Sequence, residues 1–87
     1  MAVYTYLIKS LIDQSFYVGI SHNPVKRLSE HNQGKLKITA SKRPYLLVYN
    51  KKYLNYLEAR RHEKWLKKKS RVYKEKLTKH APPIQME

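Results

Sequence analysis

Cysteine is absent from the 87-residue chain, glycine occurs twice, and six acidic residues face nineteen Lys and Arg. Without cysteine there is no disulfide and no thiolate metal site, and redox chemistry assigns no compartment. With Gly19 and Gly34 alone, no glycine-rich loop is available to cradle a nucleotide phosphate. The longest apolar run, Tyr45-Leu46-Leu47-Val48-Tyr49, is far too short to cross a bilayer. Met1-Ala2-Val3-Tyr4 enters a strand directly, with no basic-then-apolar leader, so a cytoplasmic protein is expected. His62-Glu63 has no second histidine one turn after His62, which excludes the zinc-protease pattern.

Positive charge and tyrosine are abundant instead, with a formal net charge of +13 and eight Tyr. Such an excess on a small domain favours a polyanionic partner, nucleic acid foremost. The plainer alternative is a cationic surface that only keeps the protein soluble. A membrane surface fits less well, because no basic stretch carries a broad apolar side. The length suits one domain with one hydrophobic core. That domain is read over residues 1–80, with 81–87 as a flexible tail.

Val3-Tyr4-Thr5-Tyr6-Leu7-Ile8 and Phe16-Tyr17-Val18-Gly19-Ile20 are rich in β-formers and read as a hairpin. Alternation puts Tyr4, Tyr6 and Ile8 on one face. A loop over Ser10 to Asp13 sets Tyr6 directly opposite Tyr17, and a slip of one residue separates them to opposite faces. Two phenols beside a glycine leave a polar, open floor on a small sheet. The competing reading is ordinary strand packing.

Asn23-Pro24 starts a helix, with Asn23 as N-cap and Pro24 at the first position. Gln33-Gly34 closes it through a left-handed Gly34. Val25, Leu28 and Asn32 form its core stripe, while Arg27 and His31 project together from an adjacent one. Lys35 to Arg43, including Lys37 and Lys42, reads as a basic loop that either follows a phosphate backbone or is simply solvated. Tyr45 to Tyr49 reads as a third strand, central because it is apolar on both faces. From Leu54 to Lys69 a longer helix capped by Asn55 turns Tyr56, Ala59, His62, Glu63 and Leu66 inward. Arg60, Arg61, Lys64, Lys67 and Lys68 fall on its opposite side. An inward Glu63 requires a cation, a set of hydrogen bonds or a metal, and a salt bridge is the plainest of these. A short helix follows Ser70, with Tyr73 and Leu77 packing back. His22 and His80 read as surface residues. The class is α/β (α+β): a small three-stranded sheet flanked by helices, in the order ββαβαα.

Tyr4-Thr5-Tyr6, Tyr17-Val18-Gly19, Arg27 ten residues after Tyr17, His31 one turn later, and Glu58-Ala59-Arg60-Arg61-His62-Glu63 together resemble the GIY-YIG nuclease superfamily. The first half-motif is degenerate and the second is close. The likeness runs from Val3 to about Lys79 and is greatest to the small stand-alone bacterial members. Some relatives carry a Lys soon after Tyr-Val-Gly, where this chain has Ile20 and Ser21. Some carry an Asn well after the metal-binding Glu, where it has Lys74-Glu75-Lys76. The resemblance implies metal-assisted phosphodiester hydrolysis with Mg²⁺ or Mn²⁺. Tyr6 and Tyr17 would flank the attacking water, Arg27 would bind the phosphate and Glu63 would hold the cation. His31 occupies a position where the family places a His or Tyr near the reaction centre. A phenol with a reference pKa of about 10 is a poor base at neutral pH, although nearby cations favour phenolate. Tyr17 is the expected base, Tyr6 the orienting hydroxyl and His31 the rival base.

The leading expectation is a monomeric metal-dependent endonuclease or nickase acting on DNA rather than RNA, with a protein partner supplying target choice if one is needed. Lys26, Lys35, Lys37, Lys42, Arg43, Lys64, Lys67 and Lys68 are the expected backbone contacts. The alternative is a nucleic-acid-binding module that keeps the fold and cleaves little or not at all. A basic adaptor for an acidic protein or ribonucleoprotein is the third reading, supported by charge alone.

Overall fold

A computed structural model describes residues 2–80, with nothing described of the His80 side chain. The expected tail at 81–87 lies outside the described residues. The elements are β1 (Val3–Ser10), β2 (Phe16–Ser21), α1 (Pro24–Asn32), α2 (Lys37–Ala40), β3 (Tyr45–Tyr53), α3 (Tyr56–Lys67) and α4 (Arg71–His80). The expected α/β class, a three-stranded antiparallel sheet flanked by helices, is what the chain forms. The order is ββααβαα, however, because α2 forms inside the stretch read as loop. One turn suffices there: Thr39 faces inward and is buried, while Lys37 and Ile38 stay exposed.

The strand order is β2-β1-β3, so β1 is central and β3 is an edge. That corrects the placement of the third strand. Its apolar residues on both faces are covered by helices from two sides, which does not require strands on both flanks. A bulge between Leu7 and Ile8 of β1 and Tyr49 and Leu47 of β3 leaves Val48 as the extra residue. β3 also runs four residues past the expected end, to Tyr53. One face of the sheet buries Tyr6, Ile8, Tyr45 and Leu47 against Leu28 of α1. The other buries Leu7, Val18 and Val48 against Leu66 of α3, with Tyr73 and Leu77 of α4 packed beside them.

The helix ends follow their local chemistry. Asn23 Oδ1 accepts from the Lys26 N–H at 3.1 Å, and Asn55 Oδ1 accepts from the Glu58 N–H at 2.9 Å. Ser70 Oγ accepts from the Tyr73 N–H, starting α4. At the end of α1, Gly34 takes φ 77°, and the N–H groups of Lys35 and Gly34 bond back to Glu30 and His31. Asn32 clamps β3 to this helix from both sides of one residue. Its amide donates to the Tyr45 carbonyl at 3.1 Å and its oxygen accepts from the Tyr45 N–H at 2.7 Å. Thr5 likewise ties β1 to α3 by donating to the Ala59 carbonyl at 2.7 Å.

The hairpin register differs from expectation by two residues. Tyr6 pairs with Gly19, and Tyr17 pairs with Ile8, because the connecting loop begins after Ser10 and extends to Ser15. A shift of two preserves the face, so Tyr6 and Tyr17 remain on the same side of the sheet as diagonal neighbours. The pairing also explains the glycine. A Cβ at Gly19 would lie 2.5 Å from Tyr6 Cζ, inside the space the phenol ring fills.

Candidate active site

Tyr6 and Tyr17 floor a cleft of about 230 Å³ that Gly19, Ile20, Arg27, Leu36, Tyr56, Arg60 and Glu63 complete. Two strands, α1, the segment before α2, and α3 each contribute, so the site forms only when the whole domain folds. On α3 the lining residues Tyr56, Arg60 and Glu63, three to seven positions apart, share one flank of the helix. Of the five residues expected to act together, the structure brings Tyr6, Tyr17, Arg27 and Glu63 to this cleft. It places His31 behind it.

His31 is fully buried. Its Nε2 lies 2.8 Å from Tyr6 Oη and its Nδ1 lies 2.7 Å from Thr39 Oγ1. The Thr39 hydroxyl donates toward the Leu36 carbonyl, so Nδ1–H donates to Thr39 and Nε2 accepts from the Tyr6 hydroxyl. Burial lowers the His31 pKa below 6.5 and the Arg27 charge lowers it further, against a weaker opposing pull from Glu30. The imidazole is therefore neutral at pH 7, as this hydrogen-bond pattern requires. Burial, then the neighbouring Tyr17, pushes the Tyr6 phenol well above its ordinary value, and Arg27 pulls partly the other way. Tyr6 is thus a neutral hydroxyl whose proton points at His31, leaving oxygen lone pairs toward the cleft. Thr39 was not among the expected site residues; it is a partner of His31 because α2 folds back against α1.

This arrangement links stability to pH. A histidine with a depressed folded-state pKa stays neutral where the unfolded chain takes up a proton, so its contribution is present above pH 6.5 and lost as pH falls. Melting temperature should decline from pH 7 to pH 5, with the His31 ring signals staying in the neutral form below pH 6.5. A melting profile that is flat or rises on acidification removes the neutral His31 from this description.

Glu63 has a side chain 13% exposed, and Lys67 Nζ and Arg60 Nε approach its two oxygens at 3.2 and 3.8 Å. Arg60 was expected on the outward face. It sits three residues before Glu63, close enough on a helix to turn back, and that i, i+3 relation was the available signal. Arg27 Nη1 contacts Glu30 Oε1 at 2.9 Å, three residues further along α1. Among the described residues Glu63 is the one carboxylate lining the cleft, and no group of three His, Asp or Glu able to hold a metal occurs.

The expected phosphate-contacting cations are distributed unevenly. Lys26 lines a shallow pocket beside the cleft with His22, Asn23, Arg27 and Glu30. Lys35 and Lys37 are exposed on either side of Leu36, which lines the cleft. Lys42 is paired with Asp13 at 3.1 Å, and the Arg43 guanidinium lies against Gly34. Lys64 and Lys68 are exposed on α3, and Lys67 is held by Glu63.

A small helix-flanked sheet presenting three phenols, two guanidiniums and one carboxylate around one cleft defines a class of domain. Residues 2–77 match the model of the GIY-YIG catalytic domain. The chain belongs to the GIY-YIG family, and within it to the UPF0213 proteins. It is 39% identical over 75 residues to a UPF0213 protein of Staphylococcus haemolyticus, covering 85% of this chain and 90% of that one. A UPF0213 protein of Syntrophus aciditrophicus is 37% identical over 81 residues, covering 91% and 92%. The solution NMR structure of a UPF0213 protein from Bacillus halodurans superposes with a TM-score of 0.56 at 32% identity, over 91% of this chain and 84% of that one.

Proposed function

We propose that the protein binds nucleic acid, DNA before RNA, with a backbone phosphodiester seated in the cleft. The convergence of Arg27 and Arg60 on one small cleft, in a chain of net charge +13, carries this reading. Guanidiniums present planar donors matched to phosphate oxygens. Glu30 and Glu63 hold these two groups until phosphate replaces them. No helix among the described residues is long and apolar enough to cross a membrane.

A specific observation favours a second reading, metal-dependent endonuclease or nickase: Tyr6, Tyr17, Arg27 and Glu63 line the same cleft. Mg²⁺ and Mn²⁺ suit oxygen ligands, and Mg²⁺ keeps several waters, so one carboxylate with substrate phosphate is a sufficient donor set. Glu63 fits that role once Lys67 and Arg60 release it. A bound divalent ion supplies charge stabilisation on the phosphate oxygens. The remaining chemistry belongs to the chain. Arg27 holds a non-bridging oxygen and stabilises the charge that develops there. Tyr6 accepts a hydrogen bond from the attacking water, and as the water loses its proton to Tyr6 Oη the phenol proton moves to His31 Nε2. His31 then serves through Tyr6 rather than by touching substrate, and Tyr17 orients the water from the other side.

The test incubates the full chain with duplex, nicked, branched and single-stranded DNA and matched RNA, with EDTA, Mg²⁺ or Mn²⁺. Binding is expected in EDTA and nicking only with metal. Binding without cleavage on every substrate leaves the binding module and removes the nuclease. No binding to any nucleic acid overturns both.

A further inference from the structure

On the opposite flank of α3 from the cleft lies a groove of about 620 Å³ between α3, α4 and the end of β3. That is within the range of ligand sites, about 300–1,000 Å³. Its walls are aromatic: Tyr49, Tyr53, His62, Trp65 and Tyr73. His62 and Trp65 stack with centroids 5.6 Å apart and planes 20° apart, and Tyr73 meets Trp65 edge-on at 5.4 Å. Trp65 remains 43% exposed. Lys69 Nζ lies 4.5 Å from the centre of the Trp65 ring and Lys51 Nζ 5.7 Å from that of Tyr53. None of these residues serves the cleft.

We infer that this groove is a second binding site, one that takes an unpaired nucleotide of single-stranded nucleic acid, its base on the Trp65 and Tyr53 rings and its phosphates on Lys51, Arg61 and Lys69. The lysines show what the occupant must offer. Each ammonium lies over an aromatic face, a weak contact when exposed to water. A base stacks on such a face more strongly than an exposed cation does. The displaced ammonium needs an anion nearby, and a nucleotide brings its own phosphate. Glu58 is the one acid among the groove's lining residues, against Lys51 and Arg61, so the charge suits an anion. A purely apolar peptide leaves those cations without partners. Because cleft and groove flank one helix, a strand leaving a duplex held at the cleft passes over α3 to reach the groove. The inference rests on nucleic acid being the partner, and not on hydrolysis in the cleft.

Trp65 is the only tryptophan, so intrinsic fluorescence reports on the groove directly. The full chain is titrated with hexathymidylate, with inorganic polyphosphate of similar charge, with a polyglutamate peptide and with a blunt duplex. Hexathymidylate should quench Trp65 and polyphosphate should not, and the quench should persist in Arg27→Ala. Trp65→Leu should weaken binding of end-labelled hexathymidylate roughly tenfold, with duplex affinity and melting temperature little changed. Trp65→Phe should restore most of the loss. Duplex binding with Trp65 silent to hexathymidylate, equal quenching by polyphosphate, or stronger quenching by polyglutamate each overturns the groove and leaves the cleft reading intact. Failure to bind any nucleic acid overturns both.

Discussion

Glu63→Gln is expected to lose metal-dependent cleavage on the order of a thousandfold or more while the protein stays folded and binds nucleic acid more tightly. The substitution keeps the shape and hydrogen-bonding capacity of the side chain and removes only its charge. Two effects on stability compete. Breaking a buried ion pair costs about 3–5 kcal/mol because a charge is left stranded. Here the partners Arg60 and Lys67 are 49% and 54% exposed, so water receives them and the cost falls to about 1 kcal/mol or less. The melting temperature should therefore move little. Affinity should rise because the same change frees Arg60, which lines the cleft, and Lys67, and withdraws a negative charge from the bound phosphate. Melting temperature, duplex affinity in EDTA and Mg²⁺- or Mn²⁺-dependent nicking, measured on one preparation, separate the roles. Nicking at the wild-type rate removes Glu63 from the chemistry. A large drop in melting temperature with proportionate loss of nicking makes its role structural.

Much of the frame was legible because its signals are local. Asn23, Pro24, Gly34, Asn55 and Ser70 each act on backbone groups within a few residues, so their spacing alone announced three helices. The inward stripe of α3 followed from periodicity, which put Glu63 beside Ala59 and Leu66. What was not legible depends on partners distant in sequence. The hairpin register was displaced by two because the Ser10 hydroxyl donates to the Lys42 carbonyl and accepts from the Ile12 N–H, so the loop starts one residue later and runs on to Ser15. β3 lies at the edge although helices cover both of its faces, so its apolar run does not report its place in the sheet. His31 was placed beside Arg27 by helical spacing, yet its burial depends on Thr39 folding over it through a single turn too short to leave a periodic pattern. Arg60 was assigned outward by angle alone, without the attraction of Glu63 for a long flexible side chain. In each case sequence supplied the residue and a contact made elsewhere supplied its direction.

Affinity for duplex DNA should fall roughly a thousandfold between 50 and 200 mM salt. The magnitude depends on how many cations are free to meet phosphates. Lys9, Arg27, Lys42, Arg60, Lys67 and Arg71 already contact carboxylates. Among the described residues Lys26, Lys35, Lys37, Arg43, Lys64 and Lys68 show no such pair, and all six are exposed. If these neutralise about six phosphates, each releasing close to one counterion, the logarithmic slope is about −5. A fourfold rise in salt then gives the stated loss. Arg27 and Arg60 add little to the slope, because binding phosphate costs them Glu30 and Glu63. Replacing Lys35 and Lys37 by Ala should reduce the slope by about 2 and weaken binding to all sequences alike. Fluorescence anisotropy of a labelled duplex across that salt range measures both. An affinity that stays flat from 50 to 200 mM sinks the electrostatic account, and with it nucleic acid as the partner, because no surface of this charge could hold a polyanion without releasing its counterions.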